Sequence, residues 1–231
     1  MSTNETSNLS AEEKKDFIAF MVSAGVLRFG EFITKSGRPT PYFINTGNYR
    51  TGGQIARLGE FYASLIHQVC GEGFFALLGP AYKGIPLATA AAFALWTRYQ
   101  MDRPYFFNRK EAKDHGEKGI WIGYQPANGD RVIIVEDVLT AGTAVGEIMP
   151  LLRSAAAVQV TDMFISVDRQ EYGATPGKTA VAQVTEEFGL RVRSLVTARD
   201  IRDWLATAGG DREILGQMDA YMDKYCVFDQ V

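Results

Sequence analysis

Residues 131–146 read Arg-Val-Ile-Ile-Val-Glu-Asp-Val-Leu-Thr-Ala-Gly-Thr-Ala-Val-Gly, and this stretch decides the fold. The run 132–135 is β-branched throughout, which favours a parallel strand covered on both faces over a half-exposed strand. Glu136 and Asp137 follow at the carboxyl end of the strand, where open α/β sheets bind their ligands. The small-residue loop 140–143 then enters a helix whose first N–H groups can surround an anion. The stretch therefore predicts a strand, a pair of acids and a phosphate-binding loop.

Strand-like segments recur along the chain at a regular spacing. They centre near residues 75, 105, 133, 163 and 193, with helix-like segments between most of them. A spacing of about 30 residues is typical of βα crossover units, which build parallel sheets. We therefore predict an α/β fold with a mainly parallel sheet flanked by helices. Because no linker or repeat divides residues 1–231, we predict a single domain, with residues 1–50 as an N-terminal hood.

Composition and charge argue against several classes of protein. The 231 residues are 46% hydrophobic, enough for the core of one α/β domain, and the net charge of −3 favours neither nucleic acid nor an anionic membrane. Cys70 and Cys226 lack the spacing of a zinc site or a disulfide framework. The longest apolar run, 85–96, has 12 residues and is too short to cross a bilayer. Since the first residues are polar and unlike a signal peptide, we expect a cytoplasmic location.

Residues 35–45 read Lys-Ser-Gly-Arg-Pro-Thr-Pro-Tyr-Phe-Ile-Asn. The glycine and the two prolines predict an irregular, rigid loop without regular secondary structure. Lys35 and Arg38 precede an aromatic stretch, so the loop could hold a flat anionic ring between apolar surface and a cation. The alternative is a surface turn whose apolar residues, 42–44, cover the core.

The loop 79–84, Gly-Pro-Ala-Tyr-Lys-Gly, follows a short buried strand predicted at 74–78. It offers Lys83 at the carboxyl edge of the sheet, where a cation can bind a phosphate. The alternative is a solvated lysine in a turn. The preceding helix, predicted at 55–69, carries His67 on or beside its apolar face. We predict that His67 packs against the core and does not act as a base.

The strand predicted at 160–167 ends in Asp-Arg-Gln-Glu-Tyr, residues 168–172. Arg169 then emerges at the same edge of the sheet as the acidic pair. The helices predicted at 198–205 and 211–225 close the chain, and the sequence assigns no function to them.

Residues 108–119 form the second informative segment. They contain four cations, three acids and one of the two histidines of the chain, and they end at Gly119. Because Ala112 is the single apolar anchor, we predict a mobile loop at 109–119. Its cations can converge on a pyrophosphate when the loop closes and excludes water. These are Arg109, Lys110, Lys113 and His115. The alternative is a solvated excursion without a function.

Four segments resemble motifs of one known family, in the family's order. The stretch Val-Ile-Ile-Val-Glu-Asp-Val-Leu-Thr-Ala-Gly-Thr, 132–143, resembles the motif with which phosphoribosyltransferases bind phosphoribosyl pyrophosphate. The order Arg-Lys-Glu-Ala-Lys-Asp-His-Gly, 109–116, resembles the catalytic loop of orotate phosphoribosyltransferases. The loop 35–45 and the segment 168–172 complete the likeness. The chain is therefore similar to orotate phosphoribosyltransferases.

The resemblance implies an enzyme of pyrimidine (UMP) biosynthesis. Its reaction would transfer the ribose 5-phosphate of phosphoribosyl pyrophosphate to orotate, giving orotidine 5′-phosphate and pyrophosphate. The implied cofactor is Mg²⁺, held mainly by the substrate, which leaves open water-mediated contacts to Glu136 and Asp137. The resemblance also implies a homodimer whose loop closes over the neighbouring site, and no nucleic-acid or membrane partner. Glu136 stands where some members have Asp, which we interpret as a tolerated variant.

The resemblance assigns roles to individual residues. The implied catalytic residues are Arg109, Lys113, Asp114 and His115. The implied phosphoribosyl pyrophosphate site comprises Lys35, Tyr82, Lys83, Arg109, Lys110, Lys113, His115, Glu136, Asp137, Val138, Leu139, Thr140, Ala141, Gly142, Thr143 and Ala144. The implied orotate site comprises Phe43, Ile44, Thr140 and Arg169, with the guanidinium of Arg169 on the pyrimidine carboxylate.

Two alternatives remain open. Another base-specific phosphoribosyltransferase would share the central motif but should lack the 109–116 motif and the 35–45 loop. A non-catalytic, ligand-sensing regulator on the same fold should show a degraded 109–116 motif or an added basic surface. The sequence has neither of these regulator features.

Overall fold

The N-terminal part of the chain forms a helix and a two-stranded antiparallel sheet. The computed structural model describes residues 9–34, 37–74, 76–110, 119–139, 143–173 and 177–227. Helix α1 (Ala11–Ser23) begins at Ser10, whose hydroxyl accepts from the N–H of Glu13 while the Glu13 carboxylate accepts from Ser10. Strands β1 (Leu27–Ile33) and β2 (Pro39–Ile44) follow and pair with each other.

Strand β2 corrects the prediction that residues 35–45 have no regular structure. Both strands of a two-stranded sheet are edge strands, and an edge strand tolerates proline because one side of its backbone needs no ladder hydrogen bond. Pro39 is the first residue of β2 and pairs with Ile33. Pro41 lies where the register shifts between Phe29 and Phe32. The two prolines therefore remove few hydrogen bonds from the pairing of β1 with β2.

The main sheet has six strands within the described residues. They are β3 (Ala76–Leu78), β4 (Tyr105–Asn108), β5 (Trp121–Gly123), β6 (Arg131–Val135), β7 (Gln159–Asp168) and β8 (Arg191–Thr197). Their order is β5-β4-β3-β6-β7-β8, and every pair is parallel except β4 with β5. The predicted α/β fold with a mainly parallel sheet is confirmed.

Strand β5 is a second element that the sequence did not predict. Its three residues are too few to show an apolar period, and Gly123 follows Trp121 within two positions. It forms because it pairs antiparallel with β4, where Asn108 lies opposite Trp121. The two strands therefore flank the segment that was predicted as a mobile loop, and residues 111–118 of that loop lie outside the described residues.

Six further helices accompany the sheet in the described ranges. They are α2 (Gly52–Cys70), α3 (Gly84–Tyr99), α4 (Thr143–Ala155), α5 (Ala180–Phe188), α6 (Ala198–Thr207) and α7 (Arg212–Tyr225). Helices α2 and α3 approach closely at Gly59, where a Cβ atom would lie 2.5 Å from the carbonyl oxygen of Ala90. A side chain at position 59 would therefore separate the two helices.

The sheet is buried on both faces, as the β-branched run of β6 predicts. Ile133 and Val135 join the core that contains the hood together with α2, α3, α6 and α7. Val132 and Ile134 join the opposite core beneath α4 and α5. This alternation is the two-residue period of a strand. Full burial of each such side chain contributes about 1.5–3 kcal/mol to folding.

His67 lies at the protein surface, so the prediction that it packs against the core is wrong. Its ring stacks on Tyr99 of α3, with ring centroids 4.1 Å apart and an interplanar angle of 12°. The contact uses the flat face of the ring and leaves the residue exposed at the end of the helix. Across the parts of the chain described above, no helix combines the length and apolar character needed to cross a bilayer.

Candidate active site

The site begins where β6 ends on two acids. Glu136 and Asp137 are both buried, with 7% and 5% of their surface exposed. Their backbone is held from two sides: the Tyr62 hydroxyl of α2 donates to the carbonyl of Glu136 at 2.7 Å, and the Ser166 hydroxyl of β7 donates to the carbonyl of Asp137 at 2.6 Å. These contacts fix the direction in which the two carboxyl groups leave the strand.

Glu136 is folded back against the backbone. Its Oε1 atom accepts from the N–H of Asp137 at 2.9 Å. Burial raises the pKa of Glu136 to about 7, an effect that the Asp137 N–H opposes and the Asp137 charge reinforces. Glu136 is thus a carboxyl group that can change its protonation near neutral pH.

Asp137 is the centre of a hydrogen-bond network. Its Oδ1 atom accepts from the N–H of Val138 at 2.7 Å, and its Oδ2 atom accepts from the Lys83 ammonium at 2.7 Å and the Thr46 hydroxyl at 2.8 Å. Lys83 comes from the loop before α3, and Thr46 follows β2. The Lys83 side chain is 62% exposed, so it can leave Asp137 for an anionic ligand without crossing the core.

A cavity of about 840 Å³ opens beside this network. One wall is the loop 80–83 with the end of β4, residues 108–110, and the other is residues 136–139 with the first turns of α4. The volume falls within the range of cofactor and ligand sites, roughly 300–1,000 Å³. Acids on one wall and cations on the other suit a ligand that has both hydroxyl and phosphate groups.

Most of the described residues that were predicted to bind phosphoribosyl pyrophosphate line this cavity. They are Tyr82, Lys83, Arg109, Lys110, Glu136, Asp137, Val138, Leu139 and Ala144. Thr143, also predicted to bind phosphoribosyl pyrophosphate, is the first residue of α4. The other residues predicted to bind this substrate or to act in catalysis lie outside the described residues. Those outside are Lys35, Lys113, Asp114, His115, Thr140, Ala141 and Gly142.

The described members of the predicted orotate set, Phe43, Ile44 and Arg169, do not line the cavity, and Thr140 lies outside the described residues. Phe43 stacks on Phe32 within the hood, with centroids 5.4 Å apart, and Ile44 packs at the margin of the hood core. Arg169 follows β7, and its guanidinium carbon lies 4.4 Å from the centre of the Tyr42 ring. The described structure therefore does not bring these residues into the cavity that holds Lys83, although Val138 and Val167 bridge the ends of β6 and β7.

Sequence reasoning missed several residues that organise the site. Asn108 is buried at the end of β4, and its Oδ1 atom accepts from the N–H of Ala81 at 2.9 Å, which ties the loop 80–83 to the base of the 109–119 segment. Its position at the carboxyl end of a predicted strand was a usable signal. Thr46 had no such signal, because its partner Asp137 is 91 positions away, and the contacts of Glu171 with Arg38 and Tyr221 are likewise distant in sequence.

Comparison with known proteins agrees with this geometry. A family model for the phosphoribosyl transferase domain matches residues 45–180, which include the acidic pair, the loop 80–83 and the 109–119 segment. Fold and site together define a phosphoribosyltransferase.

Individual relatives narrow the class. The chain is 46% identical to the orotate phosphoribosyltransferase of Lachnoclostridium phytofermentans over 220 residues, 93% of this chain and 97% of that protein. It is 53% identical to that of Clostridium acetobutylicum over 192 residues, 83% of this chain and 85% of that protein. The crystal structure of the Francisella tularensis orotate phosphoribosyltransferase matches with a TM-score of 0.82 at 34% identity, covering 92% of this chain and 100% of that one. The chain belongs to the orotate phosphoribosyltransferase family.

Proposed function

We propose that this protein transfers the ribose 5-phosphate of phosphoribosyl pyrophosphate to orotate in UMP biosynthesis. The observation that carries the proposal is the ion pair of Lys83 with Asp137 across the wall of the cavity. The pair supports the proposal because a cation that suits a diphosphate lies 2.7 Å from a carboxylate that suits sugar hydroxyls. In the transfer, the bond from ribose C1 to the diphosphate oxygen breaks, pyrophosphate leaves with the electron pair, and C1 forms a bond to a ring nitrogen of orotate, which loses its proton.

The charges of the site match the charges of such a transition state. Early cleavage makes the ribose ring cationic and the leaving group more anionic. Glu136 and Asp137 would hold the ribose hydroxyls and lie near the positive charge, while Lys83, Arg109 and Lys110 face the diphosphate. A hydrogen-bond donor preorganised in this way typically lowers the activation free energy by about 3 kcal/mol.

We propose that the segment 109–119 completes the site when it closes. Lys113 and His115 would then reach the diphosphate, and closure would exclude water that could hydrolyse the sugar cation. Asp114 would position one of these two side chains or assist the movement of a proton. The pairing of β4 with β5 supports the proposal, because both ends of the segment are anchored at the rim of the cavity.

The acidic pair fits Mg²⁺ only as an indirect partner. Asp137 already accepts three hydrogen bonds, and Glu136 accepts one from the Asp137 N–H. In the described residues, no group of three or more acids, histidines and cysteines is arranged to hold a metal. Glu136 and Asp137 would therefore hold Mg²⁺ through water and through oxygens of the substrate. When bound, the ion would neutralise charge on the diphosphate.

We also propose a single-domain chain that works as a homodimer in the cytoplasm, with the 109–119 segment reaching the neighbouring site. Helix α3 supports a partner because Phe93 and Trp96, three positions apart, are 64% and 49% exposed. Large apolar side chains grouped on one helix face are typical of protein interfaces. Sedimentation equilibrium with Phe93→Ser tests the dimer, which should weaken.

The direct test is an assay of orotate consumption with phosphoribosyl pyrophosphate and Mg²⁺. Adenine, hypoxanthine and uracil are offered in place of orotate, because another base-specific phosphoribosyltransferase would prefer one of them. We expect consumption of orotate alone. Turnover of another base at a higher kcat/KM would replace orotate as the substrate, and binding without turnover would favour a regulator.

A further inference from the structure

A cluster of charged and aromatic side chains surrounds Arg169 outside the cavity. We call it the Glu171 cluster, and its members come from three distant parts of the chain. These are Arg38 and Tyr42 of the hood, Arg169 and Glu171 after β7, and Tyr221 of α7. The family resemblance gives one of them, Arg169, a role in binding orotate, and it gives α7 no role.

Glu171 is the hub of the cluster. Its Oε1 atom accepts from the Nε of Arg169 at 2.8 Å and from the Tyr221 hydroxyl at 2.6 Å, and its Oε2 atom accepts from Nη2 of Arg38. The side chain of Glu171 is 14% exposed. Because the two oxygens have partners from different segments, the carboxylate is held in one orientation. Its hydrogen bond to Nε then holds the guanidinium of Arg169 in one orientation as well.

The contact with Glu171 decides which edge of Arg169 faces a ligand. A guanidinium has two hydrogen-bonding edges, one formed by Nε and Nη2 and the other by Nη1 and Nη2. Oε1 of Glu171 lies 2.8 Å from Nε and 2.7 Å from Nη2, so it takes the first edge and leaves the Nη1 side for a ligand. The Tyr42 ring, 4.4 Å from the guanidinium carbon, holds the plane of the group from one side.

The cluster has more donors than acceptors. Two guanidinium groups face one carboxylate, and Nη2 of Arg169 lies 2.7 Å from Oε1 of Glu171 without the alignment of a hydrogen bond. Among the residues that the structure describes, this atom, Nε of Arg38 and the buried Tyr42 hydroxyl have no hydrogen-bond partner. A ligand with carboxylate and carbonyl oxygens would supply the missing acceptors.

Helix α7 holds the segment that carries Arg169. The Tyr221 ring meets the Tyr42 ring edge to face, with centroids 6.1 Å apart. Behind the helix, the N–H of Val227 donates to the carbonyl of Gln170 at 2.8 Å, and the N–H of Tyr172 donates to the carbonyl of Tyr225 at 3.0 Å. The last helix and the residues after it thus fix the backbone on both sides of Glu171.

We propose that Glu171, oriented by Tyr221, is a positioning residue that directs Arg169 toward the carboxylate of the base, so that α7 contributes to base selection. The proposal rests on the proposed function. It concerns which base is accepted and how tightly, and not the diphosphate chemistry at Lys83.

The variant Tyr221→Phe tests this with the loss of a single hydroxyl. The aromatic packing is kept, while Glu171 loses one of its hydrogen bonds. We expect the KM for orotate to rise about 5–10-fold and the KM for phosphoribosyl pyrophosphate to stay unchanged, as fits one buried hydrogen bond. Glu171→Gln should raise the orotate KM further, about 10–50-fold, since a charged partner of Arg169 is lost.

A matched control lies on the same helix. Asp219 of α7 pairs with Arg202 of α6 through contacts of 2.7 and 3.0 Å, away from the Glu171 cluster. Asp219→Asn removes a hydrogen-bonded pair from α7 and should leave both KM values unchanged. If Asp219→Asn and Tyr221→Phe raise the orotate KM equally, α7 acts only as general support and the inference is overturned.

The remaining outcomes separate this inference from the proposed function. A wild-type protein that does not consume orotate overturns the proposed function and the inference with it. A wild-type protein that consumes orotate, together with an unchanged orotate KM in Tyr221→Phe, overturns the inference alone. Should Glu171→Gln fail to fold, Tyr221→Phe still decides, because it preserves the packing of the core.

Discussion

The ends of β6 and β7 both present an ion pair at the same edge of the sheet, but the two pairs are held differently. At β6, the buried carboxylate of Asp137 meets Lys83, whose side chain is 62% exposed. At β7, Arg169 and Glu171 have only 16% and 14% of their side chains exposed. One pair has a partner that can move into solvent, and the other has none.

This difference separates two tasks of a transferase. An exposed lysine contributes little to stability in an ion pair and exchanges readily with a phosphate. A buried arginine fixed by a carboxylate and by aromatic rings keeps one direction, which suits recognition of a planar base. We infer that the β6 region binds a leaving group that comes and goes, and that the β7 region selects the acceptor. If so, variants in the two regions should affect different kinetic constants.

The largest effect is expected from the 109–119 segment, which we propose closes over the β6 region. Lys113→Ala should lower kcat at least about 100-fold, because Lys113 would meet the diphosphate charge in the transition state, while the KM for phosphoribosyl pyrophosphate should change little. Initial rates with both substrates varied give these constants. Lys118→Ala removes a cation from the same loop with no role implied by the resemblance, and it should be nearly silent. Equal losses in turnover and donor affinity for Lys113→Ala would show that the loop only binds.

Variants in the β7 region should instead change the KM for orotate. Arg169→Ala should raise the orotate KM about 10–100-fold through loss of charged hydrogen bonds, and the KM for the donor should stay within about 2-fold. Arg169→Lys should be intermediate, because lysine keeps the charge and loses the planar fork. Isothermal titration with orotate and pyrophosphate supports the kinetics. An unchanged affinity for orotate would remove Arg169 from the site.

Glu136 allows a test of the β6 region by pH. Burial raises the pKa of Glu136 to about 7 from an ordinary value of 4.5, so the folded state holds a proton that the unfolded chain has lost. The free energy of unfolding should therefore fall as pH rises between 4.5 and 7, by at most about 1.4 kcal/mol per pH unit for one proton, and level off above 7. Urea unfolding across this range measures the slope.

The matched variant for this test is Glu136→Gln, which keeps the shape of the side chain and removes its titration. The difference in slope between wild type and variant isolates Glu136 from the other carboxyl groups, including Asp137, and from Lys83. Parallel curves would mean that Glu136 is ionised in the folded protein throughout this range.

The sequence predicted the β6 region well because its information is local. The strand at 131–135, the two acids and the following helix lie within 25 consecutive residues, and the parallel sheet follows from the same spacing repeated along the chain. The same rule predicted Lys83 at this edge of the sheet, and the structure brings it within 2.7 Å of Asp137. Local pattern and sheet topology are sufficient for such a site.

The β7 region could be predicted only in part. Arg169 follows a recognisable strand, but Arg38 and Tyr221, which hydrogen-bond to its neighbour Glu171, lie 133 and 50 positions from Glu171 in the sequence. Strand β2 was hidden for a related reason: its prolines argue against a strand unless the strand is known to be an edge, and edges are a tertiary property. Strand β5 likewise exists because β4 is beside it.

The smallest expected effect concerns Thr46, the residue through which the hood touches the β6 region. Its hydroxyl donates to Oδ2 of Asp137, so Thr46→Val should raise the KM for phosphoribosyl pyrophosphate about 5-fold. The effect should be this small because Lys83 and the N–H of Val138 still hold the carboxylate. Thr207→Val, which removes a hydroxyl bonded to a backbone carbonyl at the end of α6, should have no effect on either KM.

Thr46 lies four residues after Tyr42, whose ring supports Arg169, so the same variant also asks whether the two regions are independent. If only the KM for phosphoribosyl pyrophosphate rises, the change at Asp137 does not reach Arg169, and the ends of β6 and β7 act independently. If the orotate KM rises as well, the segment from Tyr42 to Thr46 couples the two ion pairs. If binding of phosphoribosyl pyrophosphate draws Lys83 from Asp137, it would then also alter the recognition of orotate.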